Sequence, residues 1–138
     1  MHNKNIKVYL AHSPHEQERG LVIQQILEDD GYTVTNPFDV QSGSGANIVR
    51  DDITDILWSN IIVCLYPHNL VTVGIDQEMV YASLFRKYVI AYVPDKLDEH
   101  IWLQYHADVI LPPDEEKNVL NVLRKFLGIV ETIQEKKK

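Results

Sequence analysis

The run Asn60-Ile61-Ile62-Val63-Cys64-Leu65-Tyr66 decides the fold, because between its polar ends every residue is apolar and neither face of the strand is reserved for water. A strand without polar alternation is one covered on both faces, the condition of a parallel sheet lying between helices. It is therefore expected to be the central strand. Before it, Asn47 to Ser59 carries Val49, Ile53, Ile56 and Leu57 at helical spacing, with Asp51 and Asp55 on the wet side and Asp52 at the border. After it, the loop Pro67 to Gly74 leads to a helix that Asp76 is placed to cap, running to about Arg86. Tyr88 to Val93 reads as another buried strand ended by Pro94, and Val109-Ile110-Leu111 as a short fifth one. A last amphipathic helix from Asp114 to about Thr132 follows. Towards the start, Ile6 to Ala11 is a strand, and Glu16 to Asp30 is a helix with Val22, Ile23, Ile26 and Leu27 on one stripe, closed by Gly31. Tyr32 to Asn36 is the second strand, ended by Pro37. Strands alternating with helices require right-handed crossovers, so the expected class is α/β, a three-layer sandwich with a five-stranded parallel sheet, flavodoxin-like or Rossmann-like. Residues 1–132 read as a single domain and 133–138 as a basic tail.

Composition narrows the function classes. The 138 residues, 45% apolar and 24% charged, are those of one ordinary globular domain. Thirteen Lys and Arg against twenty Asp and Glu leave a net charge of −7. An acidic body without a basic stripe argues against a nucleic-acid polymer as partner and leaves a single nucleotide open. The apolar run Ile61 to Tyr66 is far short of the roughly 20 residues of a membrane-spanning helix, and Met1 to Asn5 lead into no apolar signal segment. A soluble cytoplasmic protein is the expectation. Cys64 is the single cysteine, so no intrachain disulfide is available and a buried reduced thiol is expected.

In such sheets ligands sit at the carboxyl ends of the strands, which points to His12 to His15, Pro37 to Gly45, Pro67 to Gly74 and Asp95 to Gln104. Gly43-Ser44-Gly45 has neither the P-loop spacing nor the dinucleotide fingerprint. The six histidines show no metal-ligand spacing, so no metal and no cofactor are expected. The carboxylates lead instead. Asp52 lies on the helix entering the central strand and Glu78 in the expected first turn of the helix leaving it, so both reach one crevice. Helix-terminal N–H groups would keep Glu78 ionised as a nucleophile, while a partly desolvated Asp52 would hold a proton as a general acid. The same spacing also suits a plainer use, Glu78 as a helix cap and Asp52 as a solvated charge.

Tyr9-Leu10-Ala11, Asn36-Pro37-Phe38-Asp39, Asp52 eight residues before Asn60, and Val73-Gly74-x-x-x-Glu78-x-x-x-Ala82 together resemble the nucleoside 2-deoxyribosyltransferase superfamily, from about Lys7 to Val93. The resemblance implies a retaining mechanism: Glu78 attacks the anomeric carbon of a 2-deoxyribosyl group, Asp52 protonates the departing base and Tyr9 orients Glu78. It also implies a substrate-binding set of Ser13, His15, Asp39, Thr72, Gly74 and Trp102. The substrate would be a deoxynucleoside or a deoxynucleoside monophosphate. A free nucleobase accepts the sugar in a transferase, and water accepts it in the monophosphate hydrolases of the same superfamily.

The chain departs from the usual pattern at several points. Gly-x-Gly-x-Glu-x-Gly here reads Gly74-Ile75-Asp76-Gln77-Glu78-Met79-Val80, without the second and third glycines. Thr72 stands where the transferases carry a sugar-binding aspartate and the hydrolases a small hydroxyl residue, and Ser13 matches the loop by which the hydrolases hold the 5′-phosphate. His15 stands where the hydrolases favour arginine, and Ser13 equally suits an N-cap. Family members complete each site with an Asn or Ser from a neighbouring subunit, which implies a homodimer or an assembly of dimers. The matching stretch, His100 to Gln104, lacks both residue types and offers Trp102, to stack on a base or to pack at the interface. Loss of the glycines leaves open a non-catalytic nucleotide-binding module, and Pro14 after the first strand disfavours a flavin-phosphate loop.

Overall fold

The computed structural model describes residues 6–37, 45–67, 73–94 and 101–136, the side chains of 45–49, 73 and 129–136 excepted. In chain order the elements are β1 (Lys7–His12), α1 (Gln17–Asp29), β2 (Thr33–Thr35), α2 (Gly45–Trp58), β3 (Ile61–Leu65), α3 (Val73–Leu84), β4 (Tyr88–Tyr92), α4 (Ile101–His106), β5 (Val109–Leu111) and α5 (Val119–Lys136), with 3₁₀ turns at Pro14–Glu16 and Pro113–Asn118. The strands are all parallel in the order β2-β1-β3-β4-β5. That is the flavodoxin-like order, which separates the two architectures left open by the sequence.

Strand parity sorts the core into two halves. Tyr9, Ala11, Ile62, Cys64, Val89 and Ala91 face one side with Ile56 of α2, Ile75, Met79 and Ala82 of α3 and Leu103 of α4. Val8, Leu10, Ile61, Val63, Leu65, Ile90 and Tyr92 face the other with Ile23 and Leu27 of α1 and Val119 and Leu123 of α5. Every residue of β3 is buried, as its unbroken apolar run requires.

Helix ends explain where the chain turns. α1 closes with Gly31 N–H donating to Glu28 O and Tyr32 N–H to Leu27 O, and Gly31 takes φ 94, a conformation that costs a glycine little. α3 closes the same way through Arg86 and Lys87, with Arg86 at φ 62.

Several expectations are corrected. Val22 and Leu57, assigned to buried stripes, are about half exposed, at 52% and 51%, because the sheet meets only the inner part of each helix face. The segment Asp95 to Gln104, read as a strand-end loop, contains the start of α4. The last helix is preceded by a separate 3₁₀ turn, Pro113–Asn118, with proline at its start, and it extends to Lys136.

His12 ends β1, with Nδ1 bonded to the Ser13 carbonyl at 3.0 Å and Nε2 to Asn36 Oδ1 at 2.9 Å, while Asn36 Nδ2 donates to Gln24 Oε1. Gly20 of α1 lies against this ring, and a Cβ there would meet His12 Nε2 at 2.8 Å and Cδ2 at 3.0 Å. Because the ring is bonded at both nitrogens it has little room to swing away. Gly20→Ala is expected to cost about 1–3 kcal/mol in urea unfolding despite the better helix propensity of alanine, and an unchanged midpoint would show that the ring gives way.

Candidate active site

The crossovers leaving β1 and β3 run to opposite faces of the sheet: α1 packs on one side and α3 on the other. The crevice at their carboxyl ends is the topological switch point, where open α/β sheets bind ligands. Tyr9, opposite Ile62 in the β1–β3 register, is fully buried on the face that α2 and α3 cover. α2 brings Asp52 to this place because Ile56, one turn on, anchors the helix in the core. α3 brings Glu78 because Met79, its neighbour, is fully buried against the sheet. The structure thus brings Tyr9, Asp52 and Glu78 together from three elements.

Burial dominates the electrostatics here. Removal from water pushes the Glu78 carboxyl from 4.5 up to about 8, the Tyr9 hydroxyl opposing the rise and the Asp52 charge adding to it. Asp52 is pushed up to about 6, again chiefly by burial, then by Asp55 and Asp51, with Tyr9 opposing. Tyr9 itself is held far above the ordinary phenol value by burial and by the two carboxylates, so it stays a donor. The Tyr9 hydroxyl acts on both carboxylates, yet Tyr9 Oη and Glu78 Oε2 are buried without a hydrogen-bond partner of ordinary geometry.

The expectation that the helix N-terminus keeps Glu78 ionised is corrected. Glu78 is the sixth residue of α3, past the first turn whose N–H groups are unpaired, so desolvation outweighs the helix dipole. Asp76, expected as the cap, lies within the first turn, and its Oδ1 accepts a hydrogen bond from Tyr66 at 2.7 Å.

No family model and no curated protein matches the sequence. Among solved structures, a 2-deoxyribosyltransferase from Bacillus psychrosaccharolyticus superposes with a TM-score of 0.67 at 20% identity, over 81% of this chain and 90% of that one. A CMP N-glycosidase from Clostridium botulinum gives 0.64 at 23% identity, over 86% and 98%. A conserved protein from Enterococcus faecalis gives 0.69 at 15% identity, over 87% and 98%. The chain has the 2-deoxyribosyltransferase fold.

Within that fold the other expected residues fall as follows. Ser13 takes the N-cap position of the first 3₁₀ turn but makes no cap bond, and its buried Oγ has no hydrogen-bond partner. The capping use is therefore not realised. His15 is exposed beside it. Gly74 is exposed, and a Cβ there would meet nothing within 4 Å, so packing does not demand a glycine. Trp102 is 63% exposed and stacks on the His106 ring at 5.9 Å. Asp39 and Thr72 lie outside the described residues. Cys64 is a buried free thiol that burial keeps protonated. Among the described residues no group of three His, Cys, Asp or Glu side chains could hold a metal ion, and no helix is long and apolar enough to cross a membrane.

Sequence reasoning missed two residues at the crevice, Tyr66 and Arg19. Tyr66 carries the hydroxyl that ends the apolar run, and Arg19 of α1 donates from Nη1 to the Tyr66 carbonyl at 2.9 Å. The available signal was the polar group on a tyrosine at the carboxyl end of a strand otherwise wholly apolar.

Proposed function

We propose that this protein is an enzyme that cleaves the N-glycosidic bond of 2′-deoxynucleosides and transfers the sugar to another nucleobase. The observation that carries it is the convergence of Tyr9, Asp52 and Glu78, each electrostatically coupled to another, at the switch-point crevice of this fold. Glu78 supplies the electron pair that forms the bond to the anomeric carbon as the carbon–nitrogen bond breaks, and Asp52 gives its proton to the departing base. An acceptor base then displaces Glu78 and returns a proton to Asp52. Of the two protons the carboxyls can bind, the pair keeps one between about pH 6 and pH 8. The reactive form has that proton on Asp52 and Glu78 ionised; because Glu78 is pushed up further than Asp52, this is the minor of the two singly protonated arrangements. The rate is therefore expected to peak near neutral pH. Tyr9→Phe should move both limbs of the pH profile alkaline, since the hydroxyl lowers both carboxyls, and an unmoved profile would remove Tyr9 from this role.

A second reading is hydrolysis of 2′-deoxynucleoside 5′-monophosphates. The buried, unpartnered Ser13 Oγ beside exposed His15 favours it as a phosphate contact, with Thr72 as the sequence signal. The Clostridium botulinum neighbour, an N-glycosidase named for CMP, lends it weight. Chromatography of reactions with each deoxynucleoside and each monophosphate, with and without a different free base, separates the readings. A new deoxynucleoside formed only with acceptor base establishes transfer, and base released from monophosphates alone establishes hydrolysis. No product with any substrate, alongside tight nucleotide binding, would leave a binding module. A homodimer belongs to the proposal as well: Leu84, Ile101, Trp102 and Tyr105, 63% to 81% exposed on α3 and α4, give a second copy an apolar surface to cover, and light scattering tests it.

A further inference from the structure

Tyr66, the residue after β3, plays no part in the bond-breaking steps, yet it is bonded to three different elements at the floor of the crevice. Its N–H donates to Tyr92 O of β4 at 3.1 Å, and its carbonyl accepts from Arg19 of α1. Its hydroxyl donates to Asp76 Oδ1 of α3 at 2.7 Å and lies 3.7 Å from Met79 Sδ. Arg19 is itself tied to Glu116 of the second 3₁₀ turn and to Glu16. Tyr66 is thus fixed from the α1 side of the sheet, and its buried side chain reaches α3 on the other.

α3 needs such an anchor. Its apolar residues, among them Ile75, Met79, Val80, Tyr81, Ala82 and Leu84, are spread around the helix rather than gathered on one stripe. A helix of that kind has several rotations of similar apolar burial, so packing alone defines its rotation weakly. At 3.6 residues per turn, Asp76 and Glu78 flank the buried Ile75 and Met79 on opposite sides. Holding Asp76 therefore fixes the direction in which Glu78 points. Asp76 also stands where the resembling pattern has its second glycine, which offers no side chain to hold.

We propose that the Tyr66–Asp76 hydrogen bond is a rotational latch on α3, and that Tyr66 and Asp76 are positioning residues that aim Glu78 into the crevice. The inference rests on Glu78 being the nucleophile, and a charge-assisted O–H···O⁻ bond is strong enough for the task.

The test compares Tyr66→Phe, Asp76→Ala, Asp76→Asn and the double variant Tyr66→Phe/Asp76→Ala with the unaltered protein. Two readouts are taken: kcat and KM, and titration of the Glu78 carboxyl by ¹³C NMR on glutamate-labelled protein, assigned with Glu78→Gln. Besides Tyr66, which also acts on Glu78 directly, the groups facing Glu78 are Tyr9 from β1, Asp52 from α2 and Cys64 from β3, the same throughout, so the comparison of Asp76→Ala with Asp76→Asn decides the titration readout. Tyr66→Phe and Asp76→Ala are each expected to lower kcat on the order of 10- to 100-fold with KM nearly unchanged, as misaimed reacting groups do. The double variant should be no worse than the poorer single one, because both remove the same bond. Asp76→Asn, whose amide oxygen still accepts from the tyrosine, should keep most of the activity. The Glu78 midpoint should shift in the two single variants that break the latch and stay in place in Asp76→Asn. Additive losses, or the same Glu78 titration in every variant, would overturn the proposal. If Tyr66→Phe fails to fold, the Ala and Asn variants at position 76 decide alone. A titration that moves as expected in a protein that turns over no nucleoside would sink the proposed function and leave the latch standing.

Discussion

Glu78→Gln is expected to abolish turnover, a loss of at least about 10⁴-fold in kcat, while the protein stays folded. The amide keeps the shape of the side chain but has no electron pair basic enough to attack the anomeric carbon, and no other described carboxylate shares the Tyr9–Asp52 contact from α3. The same substitution carries a stability signature with a definite sign. Glu78 titrates near 8 when folded and near 4.5 when not, so the stability gained from holding its proton is fully present below about pH 4.5 and is lost as the pH rises through about 8. Glutamine has no proton to lose. Glu78→Gln should therefore unfold at a higher temperature than the unaltered protein at pH 9, by an amount reflecting a few kcal/mol, with the gap closing towards pH 5. Thermal melts at the two pH values check this, and a gap that widens towards acid would show that Glu78 is not desolvated. Retained turnover in this variant would sink the covalent mechanism.

Asp52→Asn is expected to lower kcat by about 10²- to 10⁴-fold, the usual contribution of a general acid. The loss should be largest for bases that leave poorly without a proton and smallest for those that leave readily. Burial and the neighbouring Asp55 and Asp51 push Asp52 up to about 6, closer to neutrality than an ordinary carboxyl, so the variant should also lose one limb of the pH profile. Equal losses across good and poor leaving groups, with both limbs intact, would assign Asp52 a structural part only.

The strands were the most legible part of the chain, because a residue buried on both faces of a parallel sheet must be apolar whatever its neighbours. The extents of β3 and β5 and the closure of α1 at Gly31 follow from local residue chemistry, and the structure agrees to within a residue at each end. The start of α3 was not legible. Asp76 has the composition of a cap, but the helix begins at Val73, and those three residues carry Glu78 from the first turn into the second. The ionisation of Glu78 followed the same displacement, since it depends on how much water the crevice admits and not on the residue's spacing from a helix signal. α4 escaped notice because Ile101 to His106 is too short for a periodic pattern, and Trp102 finds its stacking partner within that helix, on His106.

By itself the sequence determined the α/β class, the parallel five-stranded sheet and the central place of the Ile61–Leu65 strand, since each follows from apolar periodicity and turn chemistry acting over a few residues. Only the tertiary structure decided the strand order, the protonation of the carboxyl pair and the bond between Tyr66 and Asp76. Those depend on which distant segments share a boundary and on how thoroughly they exclude water from it, and no local stretch of sequence encodes either.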